Sequence, residues 1–201
     1  MSEEVRLFIH ATNVHNGGGR SLLKALLDSV PTGIDLRLSL DCRLSLPENA
    51  LDEVEINRVA PSIISRLKAE KWLADKVEPG DLVLCFGNLP PLFKLKGRVV
   101  VFLQNRYLID KVKLDSFPLK TRLRLGMERL WFRSRIASAD EIIVQTPSMK
   151  SLLESQLTSK AAIKVLPFMG DGEGISRYIL SSEMEKERVF SLLVCCIWRS
   201  P

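Results

Sequence analysis

Residues 16–20, Asn16-Gly17-Gly18-Gly19-Arg20, follow the apolar strand Leu7-Phe8-Ile9 and lead straight into an amphipathic helix. In that helix Leu22, Leu23, Leu26 and Leu27 share one face. Glycine lets the backbone take positive φ and puts no side chain in a ligand's way. The free N–H groups of a helix's first turn carry partial positive charge, which is the chemistry of a phosphate site. Arg20 adds a guanidinium able to donate two parallel bonds to one anion. Gly17, Gly18, Gly19 and Arg20 are therefore candidate phosphate contacts, with Asn16 beside them. A second polar group, Gln104-Asn105-Arg106, is delivered at the carboxyl end of Val99-Val100-Val101-Phe102-Leu103. Open α/β sheets bind ligands at those ends. A dinucleotide site would need G-x-G-x-x-G and an acid about twenty residues on. Asp41 supplies the acid, but Leu22 stands where the last glycine belongs, so NAD and FAD are not expected.

These groups need elements to hold them. Residues 34–40 alternate apolar and polar as a half-buried strand does, and 54–59 read as another strand. Residues 62–76 are helical in period, with Ile63, Ile64, Leu67 and either Trp72 or Leu73 expected inward. Residues 82–88 form an apolar run that ends in Gly87 and Asn88, the pattern of a buried parallel strand emptying into a loop. The longest helical stretch, 118–139, aligns Leu119, Leu123, Met127, Leu130, Ser134 and Ala137, a face expected to point inward, with Leu125 and Phe132 left outward. Residues 140–144 are a strand, Thr146 or Ser148 caps a helix over 149–156, and 163–168 make a last short strand. Strands alternating with helices predict an α/β fold, Rossmann-like, with a mostly parallel sheet flanked by helices.

Forty-six per cent hydrophobic and 26% charged residues supply enough apolar mass for a real core. No uncharged apolar run is long enough to span a bilayer. The start, MSEEVRLFIH, is acidic where a signal peptide needs positive charge, so a cytoplasmic location is expected. Cys42, Cys85, Cys195 and Cys196 form no C-x-x-C pair, and His10 and His15 are the only histidines, so no metal is expected. The net charge of +5 is unevenly spread. Residues 94–135 hold twelve Lys and Arg against Asp110, Asp115 and Glu128, a local charge of +9. One face should be positive and its partner anionic, with Arg122, Arg124, Arg129 and Arg133 as its helical part. Aromatics for base stacking are sparse there (Tyr107, Trp131, Phe132), so nucleic acid is not expected.

The succession HNGGGRSLLKALL, DLVLCFGNLPP, VVVFLQNRYLI, a long basic helix, ADEIIVQTPSMKSLL and IKVLPF resembles the N-terminal domain of GT-B glycosyltransferases of the group 1 type, family 4. The resemblance runs over 5–168 and implies a Rossmann-like acceptor-side domain over 1–170, then a linker and the cut-off start of a second domain over 171–201. It implies that Gly17 to Arg20 border the donor's diphosphate or the acceptor. It also implies that Asn16, Gln104, Asn105 and Arg106 lie near the reacting centre, with Thr146 on a strand-end loop facing the cleft. Sugar transfer from a nucleotide-sugar to a glycan or lipid-linked acceptor, without cofactor, in cell-surface polysaccharide or lipopolysaccharide synthesis, is the implied activity. The basic helix would meet the acceptor at the inner face of the cytoplasmic membrane. The family binds its donor mainly through the second domain, so a separate chain is a possible partner. Many relatives place a histidine after the middle strand, where this chain has Gln104 and Asn105. The alternative is a non-catalytic module that binds an anionic membrane surface or a protein through the 94–135 face.

Overall fold

A computed structural model describes residues 6–28, 30, 33–45, 54–110, 112–156 and 161–166. The expected second-domain start at 171–201 lies outside the described residues, as do Cys195 and Cys196. Among the described residues seven strands form one sheet: β1 Arg6–Ala11, β2 Asp35–Asp41, β3 Glu55–Val59, β4 Leu82–Cys85, β5 Arg98–Leu103, β6 Glu141–Val144 and β7 Ala162–Val165. Their order in space is β3-β2-β1-β4-β5-β6-β7, and every pairing is parallel. The Rossmann-like α/β expectation holds, and the sheet is parallel throughout. Four α-helices among the described residues accompany it: α1 Gly17–Asp28, α2 Ile63–Lys76, α3 Leu119–Arg135 and α4 Pro147–Gln156.

Two cores follow from the alternation of side chains along the strands. On one face Val99, Val101 and Leu103 of β5 meet Leu73 of α2, Leu125 and Phe132 of α3, and Leu153 of α4. On the other, Val100 and Phe102 join Leu7, Ile9, Leu38 and Leu40 beneath Leu23 and Leu26 of α1. Trp72 packs half-buried against the first core, edge-on to Phe8 with ring centroids 6.1 Å apart.

Both long helices correct the sequence reading of their faces. In α2 the inward residues are Ala69, Glu70 and Leu73, whereas Ile63, Ile64 and Leu67 are exposed. Glu70 enters the interior because it has partners there. Its Oε1 lies 3.0 Å from His10 Nε2, and its Oε2 accepts a 2.8 Å bond from the Leu92 N–H. A satisfied buried carboxylate thus turns the helix away from its simplest apolar face. In α3 the expected orientation is reversed: Leu125 and Phe132 are buried, and Leu119, Leu123, Met127 and Leu130 face out. Phe132 fills a fully enclosed position between the helix and the sheet, which decides the roll of the helix.

Candidate functional site

The strand order reverses direction between β1 and β4, and such a switch point opens a crevice at the carboxyl ends of the strands. A cleft of about 250 Å³ occupies it, lined by Asn13, Val14, Asn16, Gly19, Phe86, Asn88, Gln104 and Asn105. The loop after β1, the loop after β4 and the turn after β5 all contribute. Of the residues singled out in the sequence, Asn16, Gly19, Gln104 and Asn105 converge here. The glycines are the first turn of α1 rather than a loop ahead of it. Gly17 has φ +62, a left-handed conformation suited to glycine, and a Cβ on Gly17 or Gly18 would meet nothing within 4 Å. A Cβ on Gly19 would touch Val14 Cγ1 at 3.4 Å and lie 4.0 Å from Gln104 Oε1, so this glycine keeps the α1 side of the cleft open towards β5.

Asn13 and Asn88, which the sequence reading did not single out, build the walls. Asn88 is the one described non-glycine residue with positive φ (+70). Its Oδ1 accepts bonds from the N–H groups of Gln104 (2.6 Å) and Asn105 (2.8 Å), so one side chain locks the loop after β4 to the turn after β5. Asn13 donates from Nδ2 to the Gly87 carbonyl at 2.8 Å, and a Cβ on Gly87 would collide with the Asn13 amide. The signal in the sequence was the Gly87-Asn88 pair directly after an apolar strand, since asparagine is enriched at positive φ. Asn105 Oδ1 caps the turn Arg106–Leu108 by accepting from the Tyr107 N–H at 3.1 Å. Below the cleft, Asn13 also borders a small cavity of about 10 Å³ with His10, Glu70, Gly87 and Trp131.

The other sequence candidates stand elsewhere. Gly17, Gly18 and Arg20 are exposed on the first turns of α1 and do not line the cleft. The Arg106 guanidinium is paired with Asp110 at 3.0 Å. Thr146 is exposed, and its Oγ1 accepts from the Met149 N–H at 3.3 Å, which makes it the cap of α4. On α3, Arg122 reaches Asp115 at 3.3 Å and Arg124 lies 3.9 Å from Glu128, while Arg133 is exposed. Arg129 is spent internally, donating to the carbonyls of Tyr107, Asp110 and Val112. Among the described residues no group of three or more His, Cys, Asp or Glu is placed to hold a metal ion. Among them, too, no helix is long and apolar enough to cross a membrane.

Asp41, the acid at the end of β2, is fully enclosed. Both its oxygens accept from Arg43: Oδ1 from Nε at 2.9 Å and from the backbone N–H at 3.0 Å, Oδ2 from Nη2 at 2.7 Å. Hydrogen bonding from the Arg43 side chain holds this carboxylic acid below its ordinary range, against the opposing effect of burial. A group whose folded pKa is depressed stabilises the fold above its unfolded pKa, and that stability is lost as pH falls through the folded value. Urea unfolding followed from pH 6 down to about pH 3 should therefore show an acid-limb loss of stability. Asp41→Asn should flatten that limb; an unchanged limb in the variant would assign the loss to other carboxylates.

No protein-family model matches the chain, and no curated protein matches it either.

Proposed function

We propose that the cleft binds the sugar portion of a nucleotide-sugar or its glycan acceptor, and that the chain is the acceptor-side domain of a glycosyltransferase. One observation carries the reading. The cleft is lined by five carboxamides, Asn13, Asn16, Asn88, Gln104 and Asn105, with one aromatic face, Phe86, and no ionisable side chain. A carboxamide has both a donor and an acceptor, as a sugar hydroxyl does, and beyond the wall bonds made by Asn13 Nδ2, Asn88 Oδ1 and Asn105 Oδ1 the remaining amide groups are the complement of adjacent hydroxyls. Phe86, buried and packed at a 35° tilt on Phe102 with centroids 5.0 Å apart, forms the apolar floor of the cleft beneath a sugar. The first turn of α1 borders the same space through Gly19, and the N–H groups of a helix's first turn suit a diphosphate next to that sugar.

In such a transfer the bond from the anomeric carbon to the diphosphate oxygen breaks, and a bond from that carbon to an acceptor hydroxyl forms. The leaving diphosphate gains negative charge, which N–H dipoles and a cation stabilise. The amides of the α1 first turn, which reaches the cleft at Gly19, are the groups of this chain suited to that task; Arg20 lies on the exposed side of that turn, outside the cleft lining. The amides of the cleft orient the sugar hydroxyls, and the proton lost by the acceptor has no protein base among the lining residues, so it leaves with the departing phosphate oxygen. Thermal unfolding of the chain with UDP, GDP, UDP-sugars and free oligosaccharides tests the reading. A saturable rise in Tm with one of them is expected, because a ligand bound only by the native state stabilises it. No rise with any of them, at concentrations well above a millimolar Kd, would overturn it.

A further inference from the structure

Helix α2 buries Glu70 to 4% exposure and leaves its own Ile63 and Ile64 71% and 69% exposed. Taking a carboxylate inside in place of two isoleucines is not explained by stability alone. Glu70 borders the small cavity below the cleft, which is about 10 Å³ and is also lined by His10, Thr12, Asn13 and Arg66. That is about the space one water occupies. Both oxygens of Glu70 accept, Oε1 from His10 Nε2 at 3.0 Å and Oε2 from the Leu92 N–H at 2.8 Å. The hydrogen of the His10 ring is therefore on Nε2, and Nδ1 is left as an acceptor. Asn13 donates from Nδ2 to the Gly87 carbonyl, so its remaining atom, Oδ1, is an acceptor too. His10 Nδ1 and Asn13 Oδ1 are both buried, and neither has a hydrogen-bond partner among the described residues. Two acceptors cannot bond each other. They require one small molecule with two donor hydrogens.

We propose that this cavity is the site of one tightly held water, which donates one hydrogen to His10 Nδ1 and the other to Asn13 Oδ1. Thr12 and Arg66 line the same space with donors from which that water accepts. The Arg66 guanidinium also disfavours a metal cation, the other small ligand that a pair of acceptors would suit. Through the water, Glu70 and His10 become positioning residues for the cleft. The connection runs from α2 through the end of β1 to the Asn13 amide, which is tied to Gly87 in the loop after β4 and lines the cleft above. The inference concerns how the wall of the cleft is set and holds whatever the cleft binds.

A high-resolution crystal structure of the full chain tests the site directly. One water within hydrogen-bond distance of both His10 Nδ1 and Asn13 Oδ1 is expected. A water that reaches only one of them, a metal ion in its place or a dry cavity would overturn the proposal. Nitrogen chemical shifts of the His10 ring in labelled protein test the positioning role. The wild-type ring is expected as the Nε2–H tautomer; an Nδ1–H or doubly protonated ring would overturn the proposal, because Nδ1 would then donate. In Glu70→Gln the new amide accepts from the Leu92 N–H and donates to His10 Nε2, so the ring hydrogen is expected to move to Nδ1. The water must then turn to accept from Nδ1, and the Asn13 side-chain amide signals are expected to shift with it. Glu154→Gln, at an exposed carboxylate of α4, should move neither. Asn13 signals that stay in place while the His10 tautomer changes would show that no water couples the two residues and would sink the positioning role.

Discussion

Asn88→Val is expected to abolish ligand binding at the cleft and to cost about 2–4 kcal/mol of stability. Two effects add. At φ +70 a β-branched side chain collides with its own backbone, a cost of about 1–2 kcal/mol. The change also removes the acceptor for the Gln104 and Asn105 N–H groups, which face a partly buried wall. Asn88→Gly separates the two, because glycine takes the left-handed conformation without strain. It should cost only about 1–2 kcal/mol yet still impair binding, since the turn after β5 loses its tether. Urea titration beside a ligand titration reads both. Wild-type stability in the valine variant would refute this account of how the wall is held.

Gly97→Ala should damage the fold about as much, at about 3 kcal/mol, although it lies away from the cleft. A Cβ there would sit 2.6 Å from the Asp81 carbonyl oxygen and 2.9 Å from Val77 Cγ1. Neither neighbour has room to retreat. The Asp81 carbonyl accepts the Arg98 N–H at 2.9 Å at the start of β5. The Asp81 carboxylate is held by Arg6 at 2.8 Å and by the Glu78 N–H at 2.7 Å. The added methyl must therefore push the pinned backbone at Asp81, immediately before β4. Gly126→Ala is the control, because nothing lies within 4 Å of a Cβ at that position in α3. There alanine should stabilise by about 0.5–1 kcal/mol. A Gly97→Ala protein that unfolds at the wild-type urea concentration would show that the 81–97 contact yields more readily than its hydrogen bonds imply.

The strand pattern was legible because a parallel sheet buried on both faces demands apolar runs, and Val99 to Leu103 has few other fates. Helix faces were harder to read. In α3 the sequence contains two stripes of plausible spacing, and periodicity favours the longer, Leu119 to Leu130. The structure buries the shorter one, because a phenylalanine at 132 contributes more enclosed area than another leucine. In α2 the Glu70 partners, His10 and Leu92, are 60 and 22 residues away, so no local pattern reveals that a carboxylate belongs inside. The cleft was half legible. Gln104 and Asn105 followed from the rule about strand ends, and Gly19 from the glycine run. Asn13 and Asn88 did not, because their roles are hydrogen bonds across the switch point, made only once β1, β4 and β5 lie side by side.

The central claim is that the amide-lined cleft between the ends of β1, β4 and β5 is where this chain meets a sugar. Backbone amide chemical shifts of labelled protein, followed through titration with a UDP-sugar and with its free sugar, test that claim most directly. The account predicts saturable shifts concentrated at residues 13–19, 87–88 and 104–105, with the first turn of α1 moving for the nucleotide-sugar and not for the sugar alone. Saturable shifts confined to the outer face of α3, or shifts absent from the cleft at every concentration, would contradict it.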